Sequence, residues 1–436
     1  MTRSGSRRDL VKGAAWLSGY VVLSALPVAL ALALHPHSKD GFLHNLGLGA
    51  GLTGFALLAL QVVLSSRIRV LSDPFGLDVV MQFHKGMALV AASLLTAHPV
   101  LFALGSGTPR TFGLDTSWRV NLGKAALLTL LLVVGLALFH KRFRIDYWIP
   151  RNLHKIVAVA IVLGFLHSSS IGPDLRLPVL RAYWWALFCV AIGIFLYRSA
   201  VVPFLRRRFV LSDLRQETRD TWTLTLAPES GPVFEYRPGQ FLFLRLIGPG
   251  IRAEEHPFTI SSSPRRTDAI TVTIKESGNY TRAIGRTPVG TRARLEAPFG
   301  RFSLAYYAAP EFVFIAGGVG ITPVMSMLRY LRDTDDPRRA VLLYACRAPE
   351  DIIFREELAA LPRRVDVLHL LSQPGPDWPG LSGRLSASIL REGVGDRLAR
   401  GVVFLCGPPP MVRQARLDLR GLGVPARRIH FERFAL

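Results

Sequence analysis

The segment Phe312-Val313-Phe314-Ile315-Ala316-Gly317-Gly318-Val319-Gly320-Ile321-Thr322-Pro323 decides the fold of the last third of the chain. Its apolar first half predicts a buried strand, and the glycines that follow let the backbone approach a phosphate. Thr322 can cap a helix, and Pro323 suits the first helical position. We predict a helix to about Arg332 and a second strand over Val341–Cys346. This order of strand, glycine-rich turn, helix and strand predicts a parallel α/β sheet with an anion-binding helix start.

A second loop, Leu405-Cys406-Gly407-Pro408-Pro409-Pro410-Met411, ends another apolar strand of the same predicted sheet. Its Gly-Pro turn is expected to form the rim of a nicotinamide site, with Cys406 either at that site or packed as a buried thiol. Arg347 directly follows the second strand. An arginine there can bind the 2′-phosphate of NADPH, whereas an acidic residue would hold the ribose hydroxyls of NADH. We therefore predict NADPH as the cofactor, and a solvated arginine is the alternative.

Alternating strand patterns such as Thr221–Leu226 begin at about Phe209 and predict a small antiparallel barrel. The barrel contains the motif His256-Pro257-Phe258-Thr259, in a position where a strand can approach a flat ring. The Thr259 hydroxyl can bond to flavin N5, and the phenylalanine before it supplies an apolar contact. The motif therefore marks a candidate flavin-binding strand.

A glycine turn follows a later strand of the barrel. It reads Gly278-Asn279-Tyr280-Thr281, and Lys275 lies just before it. A turn with a hydroxyl group and a nearby cation suits a pyrophosphate. An ordinary hairpin turn is the alternative interpretation.

The overall composition excludes two classes of protein. Of 436 residues, 50% are hydrophobic, and 53 Lys and Arg against 31 Asp and Glu give a net charge of +22. A purely soluble globule would be less apolar, and a pure membrane channel would carry fewer charges. No reading helix or stacking platform accompanies the basic excess, so we expect a lipid bilayer as partner and no nucleic acid. The three cysteines cannot build a disulfide framework.

Six apolar runs in the first 200 residues predict six membrane-spanning helices, the first of them retained rather than cleaved. They are Ala14–Leu34, Phe42–Ser66, Gly86–Pro109, Ala125–Phe139, Ile156–Pro173 and Ala182–Tyr197. Lysine and arginine are concentrated before the first run and after the second, fourth and sixth. By the positive-inside rule, we expect a multi-pass membrane protein whose two termini and whose domains after the last span lie in the cytoplasm.

Four histidines form a pattern in these spans: His84 and His98 on the third, His154 and His167 on the fifth. On each helix the two lie about 20 Å apart, at about 1.5 Å per residue. Two haems, each clamped between two helices by two imidazoles, need this arrangement. We assign His84 with His154 to an inner haem and His98 with His167 to an outer one. Hydrogen-bonded interhelical histidines are the alternative.

The spacing on the fifth span is less regular than that on the third. The step from His154 to His167 leaves the two side chains about 140° apart around an ideal helix, against about 40° for His84 and His98. We therefore expect a tilt, a π-bulge or haems approached from different sides in the fifth span.

The motifs HPFT, GNYT, GGVGITP and CGPPPM, in this order, resemble the flavin and nicotinamide module of the ferredoxin-reductase type. With six spans and two histidine pairs before it, the chain resembles a bacterial member of the NADPH oxidase and ferric reductase family. The resemblance implies FAD contacts at His256, Pro257, Phe258, Thr259, Lys275, Gly278, Asn279, Tyr280 and Thr281. It implies nicotinamide-nucleotide contacts at Gly317, Gly318, Val319, Gly320, Ile321, Thr322, Pro323, Cys406, Gly407 and Pro408. An aromatic residue near the C-terminus usually covers the flavin in this family, and Phe434 matches it, although two residues follow.

The predicted architecture is therefore a six-helix transmembrane bundle over 1–205, an antiparallel β-barrel FAD domain over 206–308 and a Rossmann-like α/β NADPH domain over 309–436. The expected function is that of a transmembrane NADPH oxidase that moves electrons through FAD and two b-type haems to molecular oxygen, forming superoxide. Thr259, Cys406 and Phe434 are the predicted catalytic residues. A ferric-chelate reductase and an electron-delivery subunit for an extracytoplasmic partner or quinone are the alternatives, and no obligatory protein partner is expected.

Overall fold

A computed structural model describes residues 2–34, 41–72, 74–106, 112–113, 115–146 and 148–432. Contacts within the chain divide it into two compact units, Ser4–Leu205 and Arg206–Leu436. The first unit is helical, and the second contains both β-sheets.

The first unit has, among the described residues, six helical spans long and apolar enough to cross a bilayer, as the hydropathy pattern predicted. Its helices are α1 (Thr2–Leu34), α2 (Phe42–Ser65), α3 (Arg69–Ser72), α4 (Leu77–Ser106), α5 (Trp118–Phe139), α6 (Trp148–Leu153), α7 (Val157–Ile171), α8 (Pro178–Leu196) and α9 (Val202–Leu205). Helix α4 begins well before the predicted start at Gly86. Its first turns were not predicted from hydropathy because they carry the charged residues Asp78 and Lys85. The apolar run therefore marks the hydrophobic part of this helix and not its full length.

The fifth span is interrupted where its first histidine lies. Between α6 and α7, residues His154–Ile156 form a 3₁₀ turn. Such a turn advances about 120° per residue instead of about 100°, so it reduces the angular offset between His154 and His167. A tightened turn was not among the expected features, and the described residues of this span contain no π-bulge. A π-helical turn occurs instead at Tyr197–Val201, after α8.

Each histidine-bearing helix of this unit packs along a neighbour. Helix α2 lies against α4, and α5 lies against α7. Trp184 of α8 is buried, with its ring stacked on Phe55 of α2 at 4.8 Å between ring centres. Its indole N–H donates to Ser168 Oγ at 2.8 Å. A buried indole needs such a partner, so this contact fixes α2, α7 and α8 against one another.

The second unit begins with an antiparallel barrel, as predicted. Its strands are β1 (Arg207–Thr218), β2 (Thr221–Pro228), β3 (Phe241–Ile247), β4 (Glu255–Thr259), β5 (Ile270–Lys275) and β6 (Arg292–Phe299). They are hydrogen-bonded in the order β4-β3-β6-β1-β2-β5. The two edge strands meet through the bridge between Ile260 and Val272 and the bond from Ser261 N–H to the Thr271 carbonyl. The short helix α10 (Asn279–Arg282) follows β5.

A parallel sheet completes this unit, as the alternating pattern predicted. Its strands are β7 (Glu311–Gly317), β8 (Arg339–Cys346), β9 (Val365–Leu371), β10 (Leu381–Ser382), β11 (Val402–Cys406) and β12 (Ile429–Glu432), and its helices are α11 (Ile321–Asp333), α12 (Arg355–Ala359), α13 (Ala387–Gly393), α14 (Arg397–Arg400) and α15 (Pro409–Gly421). The order is β10-β9-β8-β7-β11-β12. Strands before β11 are therefore added on one side of β7, and β11 and β12 are added on the other side. Ligands of open α/β sheets bind at such a reversal of strand order.

One buried histidine gives this unit a predicted pH dependence. Burial lowers the pKa of His430 on β12 to about 4, and its Nδ1 is hydrogen-bonded to the Tyr307 hydroxyl at 3.0 Å. Because the unfolded chain takes up this proton from about pH 6.5 downward and the folded chain does not, stability falls as the pH falls from about 6.5 towards 4. At pH 5 this lowers the free energy of unfolding by at most about 2 kcal/mol, since one pKa unit is about 1.4 kcal/mol. We expect the loss to be absent in His430→Asn. Thermal unfolding of the full chain at pH 7 and pH 5 measures it, and equal losses in variant and wild type would contradict it.

Candidate functional site

The four predicted haem-binding histidines lie in two pairs across α4 and the fifth span. The ring centres of His84 and His154, the inner pair, are 6.1 Å apart, with 66° between the ring planes. Those of His98 and His167, the outer pair, are 6.3 Å apart, with 81° between the planes. The structure therefore brings together the same partners that the spacing matched.

These distances provide a test of whether a haem iron fits between the rings. A bond from a transition metal to an imidazole nitrogen is about 2.0–2.1 Å, and that nitrogen is about 1.1 Å from its ring centre. Two imidazoles on opposite sides of one ion thus have ring centres about 6 Å apart. Both pairs meet this condition. In the described part of the chain, no group of three or more His, Cys, Asp or Glu side chains offers a metal site built from protein ligands alone.

The two pairs differ in their hydrogen bonds. The Nδ1–H of His98 donates to the Gly47 carbonyl at 2.8 Å, and that of His167 donates to the Arg119 carbonyl at 2.8 Å. A carbonyl only accepts, so Nδ1 carries the proton and Nε2 is left as the metal-binding nitrogen. In the inner pair, His84 Nδ1 is buried beside the backbone of Gln61 on α2, and among the described residues it has no hydrogen bond as well formed as those of the outer pair.

In the second unit, the two predicted flavin motifs contact each other directly. The ring of His256 on β4 stacks on Tyr280 of α10 at 4.1 Å between centres, and its Nε2 lies 3.0 Å from Glu254 Oε2. Thr259 ends the same strand and is buried, whereas Pro257 is exposed. Strand β4 and the segment at α10 therefore form one continuous surface, although they are separated in the sequence.

The turn at Gly278 is organised by its own threonine. Thr281 Oγ1 accepts hydrogen bonds from the backbone N–H groups of Ser277 and Gly278, at 2.8 and 2.9 Å. This hydroxyl therefore caps α10. Lys275 Nζ forms an ion pair with Asp220 at 3.1 Å, and Lys275 also lies on the wall of a cleft.

The two predicted nucleotide loops meet at the point where the sheet order reverses. A Cβ added to Gly407 would lie 3.1 Å from the Cα of Gly317, and one added to Gly320 would lie 2.6 Å from the carbonyl carbon of Cys406. A Cβ on Gly317 would lie 2.6 Å from the sulfur of Met411. Only glycines permit these backbones to approach so closely. The loops after β7 and β11 thus form one shared edge, as a dinucleotide site requires.

A cleft of about 710 Å³ opens at this edge. Its wall carries four cationic side chains and one carboxylate: Arg219, Lys275, Arg347, Arg384 and Asp351. Arg347 is held by a hydrogen bond from its Nε to Gln373 Oε1 at 2.7 Å. The excess of positive charge suits a phosphorylated ligand. Sequence reasoning missed Arg384, because it follows the two-residue strand β10, which has no sequence pattern of its own.

Cys406 is the last residue of β11 and is fully buried. Glu432 of β12 is its partner in the sheet register. Burial, and after it the charge of Glu432, raises the pKa of the Cys406 thiol well above its usual range, so the thiol is protonated at neutral pH. Sequence reasoning missed Glu432, although its place two residues before the predicted flavin-covering aromatic was an available signal. Phe434 itself lies outside the described residues.

Comparison with known proteins agrees with this arrangement. Three protein-family profiles match: a ferric reductase like transmembrane component over 50–165, an FAD-binding domain over 208–293 and an oxidoreductase NAD-binding domain over 314–417. The chain is 33% identical over 226 residues to the stachydrine N-demethylase reductase subunit Stc4 of Rhizobium meliloti, covering 50% of this chain and 64% of that protein. It is 34% identical over 234 residues to an NADPH oxidoreductase of Mycobacterium tuberculosis, covering 51% and 58%. The matches thus span less than two thirds of these relatives.

Among solved structures, flavohemoglobin from Malassezia yamatoensis with bound FAD and heme covers 95% of this chain and 100% of that chain, with a TM-score of 0.50 and 18% identity. At this identity the similarity concerns the fold alone. The fold and the family profiles define a membrane-spanning electron-transfer oxidoreductase with FAD-binding and NAD(P)H-binding domains. The chain has the architecture of the NADPH oxidases and ferric reductases: a ferric-reductase-like transmembrane domain fused to a ferredoxin-reductase-type module.

Proposed function

We propose that this protein transfers electrons from cytoplasmic NADPH across the membrane to molecular oxygen and releases superoxide on the far side. The observation that carries the proposal is the pair of imidazole couples within the spans, with ring centres 6.1 and 6.3 Å apart. Two bis-histidine sites at different depths suit an electron path through a bilayer, because they need no ligand besides the histidines. The fused flavin and nicotinamide domains supply the electron source.

The residues that would hold each group follow from the contacts. His84 with His154 and His98 with His167 would each bind one haem iron. The surface formed by β4 and the turn before α10, with Thr259 and Tyr280, would hold FAD. The joined loops at Gly320 and Gly407 and the cationic cleft would hold NADPH. Bound FAD supplies the conversion of a hydride into single electrons, and bis-histidine haem supplies one-electron transfer.

The reaction balances with oxygen as the acceptor. One NADPH and two O₂ give NADP⁺, one H⁺ and two superoxide ions, so the two electrons leave one at a time. Because two imidazoles would hold each haem iron, the acceptor would not need to coordinate a metal. Three connections lie on the far side: from Leu34 to Phe42, from Ser106 to Trp118 and from Ile171 to Pro178. All three are short, which favours a small acceptor over a docked protein. The basic residues that follow α2, α5 and α8 support placing the second unit in the cytoplasm.

The preference for NADPH is tested at Arg347. Arg347, Arg384 and Ser372 lie together on the cleft wall, and Arg347 is oriented by Gln373. Charge-assisted hydrogen bonds to a 2′-phosphate are worth about 1.5–3 kcal/mol, so Arg347→Ala is expected to lower kcat/KM for NADPH by about tenfold or more. The value for NADH should change little, because NADH lacks the phosphate. Steady-state reduction of ferricyanide by the full chain measures both, and Arg413→Ala on α15 is the control. Equal values of kcat/KM for the two nucleotides in the wild type would contradict the preference.

The function itself is tested with purified, haem-loaded and FAD-loaded protein supplied with NADPH. We expect cytochrome c reduction in air that superoxide dismutase abolishes, at two superoxide ions per NADPH. If reduced protein is stable in air and is reoxidised by a ferric chelate, the protein is a metalloreductase.

A third acceptor class follows from the relatives, since one of them is named as the reductase subunit of a demethylase. Haem reduction that stays unoxidised by oxygen and by ferric chelates would favour delivery of electrons to a partner protein or quinone.

A further inference from the structure

The outer histidines are each held by a neighbouring helix in the same way. On α2, the carbonyl of Gly47 accepts from His98 Nδ1–H at 2.8 Å, and a Cβ added to Gly51 would lie 2.7 Å from that nitrogen. On α5, the carbonyl of Arg119 accepts from His167 Nδ1–H at 2.8 Å. A Cβ added to Gly123 would lie 2.8 Å from that nitrogen and 2.7 Å from Cε1. In both helices, a glycine stands four residues after the accepting carbonyl.

Helix geometry explains why the position four residues on must be glycine. In an α-helix, the carbonyl of residue i already accepts from the N–H of residue i+4, so the side chain of residue i+4 starts beside that carbonyl. A second donor reaches the carbonyl's other lone pair only where no Cβ stands in the way. A Cβ as close as 2.7 Å to a ring nitrogen would force the imidazole to move, because the Cβ and the accepting carbonyl are both fixed to the backbone of the same helix.

We infer that Gly51 and Gly123 are positioning residues for the outer metal site: each opens a helix carbonyl to the Nδ1–H of its histidine. The bond fixes the tautomer, orients the ring and makes Nε2 a stronger ligand, as partners of metal-bound histidines do. This inference rests on the proposed function, because it supposes that the outer pair binds haem iron.

The inner pair is held less closely: His84 lies beside the backbone of Gln61 on α2, but within the described part of the chain its Nδ1 forms no hydrogen bond of the geometry seen in the outer pair. A hydrogen bond donated by Nδ1–H gives the imidazole more anionic character and so favours the ferric state. Loss of the hydrogen bonds at the outer site should therefore raise its midpoint potential.

The test uses four alanine variants of the full chain, reconstituted with haem and FAD. Gly51→Ala and Gly123→Ala insert the blocking methyl group. Gly49→Ala and Gly135→Ala are matched controls on the same two helices, because a Cβ on Gly49 has its nearest neighbour at 3.9 Å and one on Gly135 has nothing within 4 Å. Haem per chain, low-spin electron paramagnetic resonance and a redox titration are measured for each.

We expect two haems per chain in the wild type and in both controls. Each blocking variant should either lose one haem or keep it with altered g values and a raised potential for one of the two haems. The retained inner haem, with its wild-type signal, shows that the bundle has folded. Two haems with wild-type signals and potentials in both blocking variants would overturn the inference, and so would loss of both haems in them with none lost in the controls. A wild-type protein that binds no haem would instead overturn the proposed function.

Discussion

Replacing His98 or His167 with alanine is expected to abolish superoxide formation from NADPH while the reduction of ferricyanide by the flavin unit continues. Each substitution removes one of the two imidazoles whose ring centres lie 6.3 Å apart, and an outer iron would then lose an axial ligand. The haem content should fall from two to about one per chain. Because the outer site is the last before the acceptor, we expect a loss of oxygen reduction of about a hundredfold or more. Pyridine haemochrome spectra and a dismutase-sensitive assay measure the two effects.

The control for this prediction is His140→Ala. His140 lies at the end of α5, where its Nδ1 bonds to the Ala137 carbonyl of its own helix at 3.0 Å, outside both pairs. It should keep two haems and full activity. Retention of two low-spin haems in the His98 and His167 variants would show that these histidines are interhelical hydrogen-bonding residues and not ligands.

Gly320→Ala is expected to reduce kcat/KM for NADPH by about a hundredfold, because a displacement of about 1 Å at a reacting site has that order of effect. Its Cβ would lie 2.6 Å from the carbonyl carbon of Cys406 and 2.8 Å from the Cα of Gly407. Both neighbours are backbone atoms at the end of β11 and the start of the following loop. The two loops would therefore have to move apart to make room for the Cβ. Stopped-flow reduction of bound FAD by NADPH measures the effect directly.

Gly421→Ala serves as the matched control, since a Cβ there has nothing within 4 Å. It should reduce FAD at the wild-type rate. FAD content and haem content should stay unchanged in both proteins, because the substitution lies outside the flavin surface and the spans. A Gly320→Ala protein with wild-type flavin reduction would show that the contact between the two loops is not needed for nucleotide binding.

The sequence by itself determined the order of the parts. Apolar runs predicted six spans, alternation predicted the barrel, and the segment from Phe312 to Pro323 predicted the parallel sheet, because each pattern reports which faces of one element are buried. The spacing of His84 and His98 also indicated two depths in the membrane, since the rise per residue of a helix is constant.

Only the tertiary structure decided which groups support these residues. The start of α4 at Leu77 and the 3₁₀ turn at His154 have no hydropathy signal, since charged residues begin the helix and one tightened turn leaves the apolar run unchanged. Glu432 reaches Cys406 through the pairing of two strands that are remote in the sequence. The carbonyls that hold His98 and His167 have no sequence signature at all, because every residue carries one. A glycine four positions later becomes informative only once the neighbouring helix is known to bring a histidine against it.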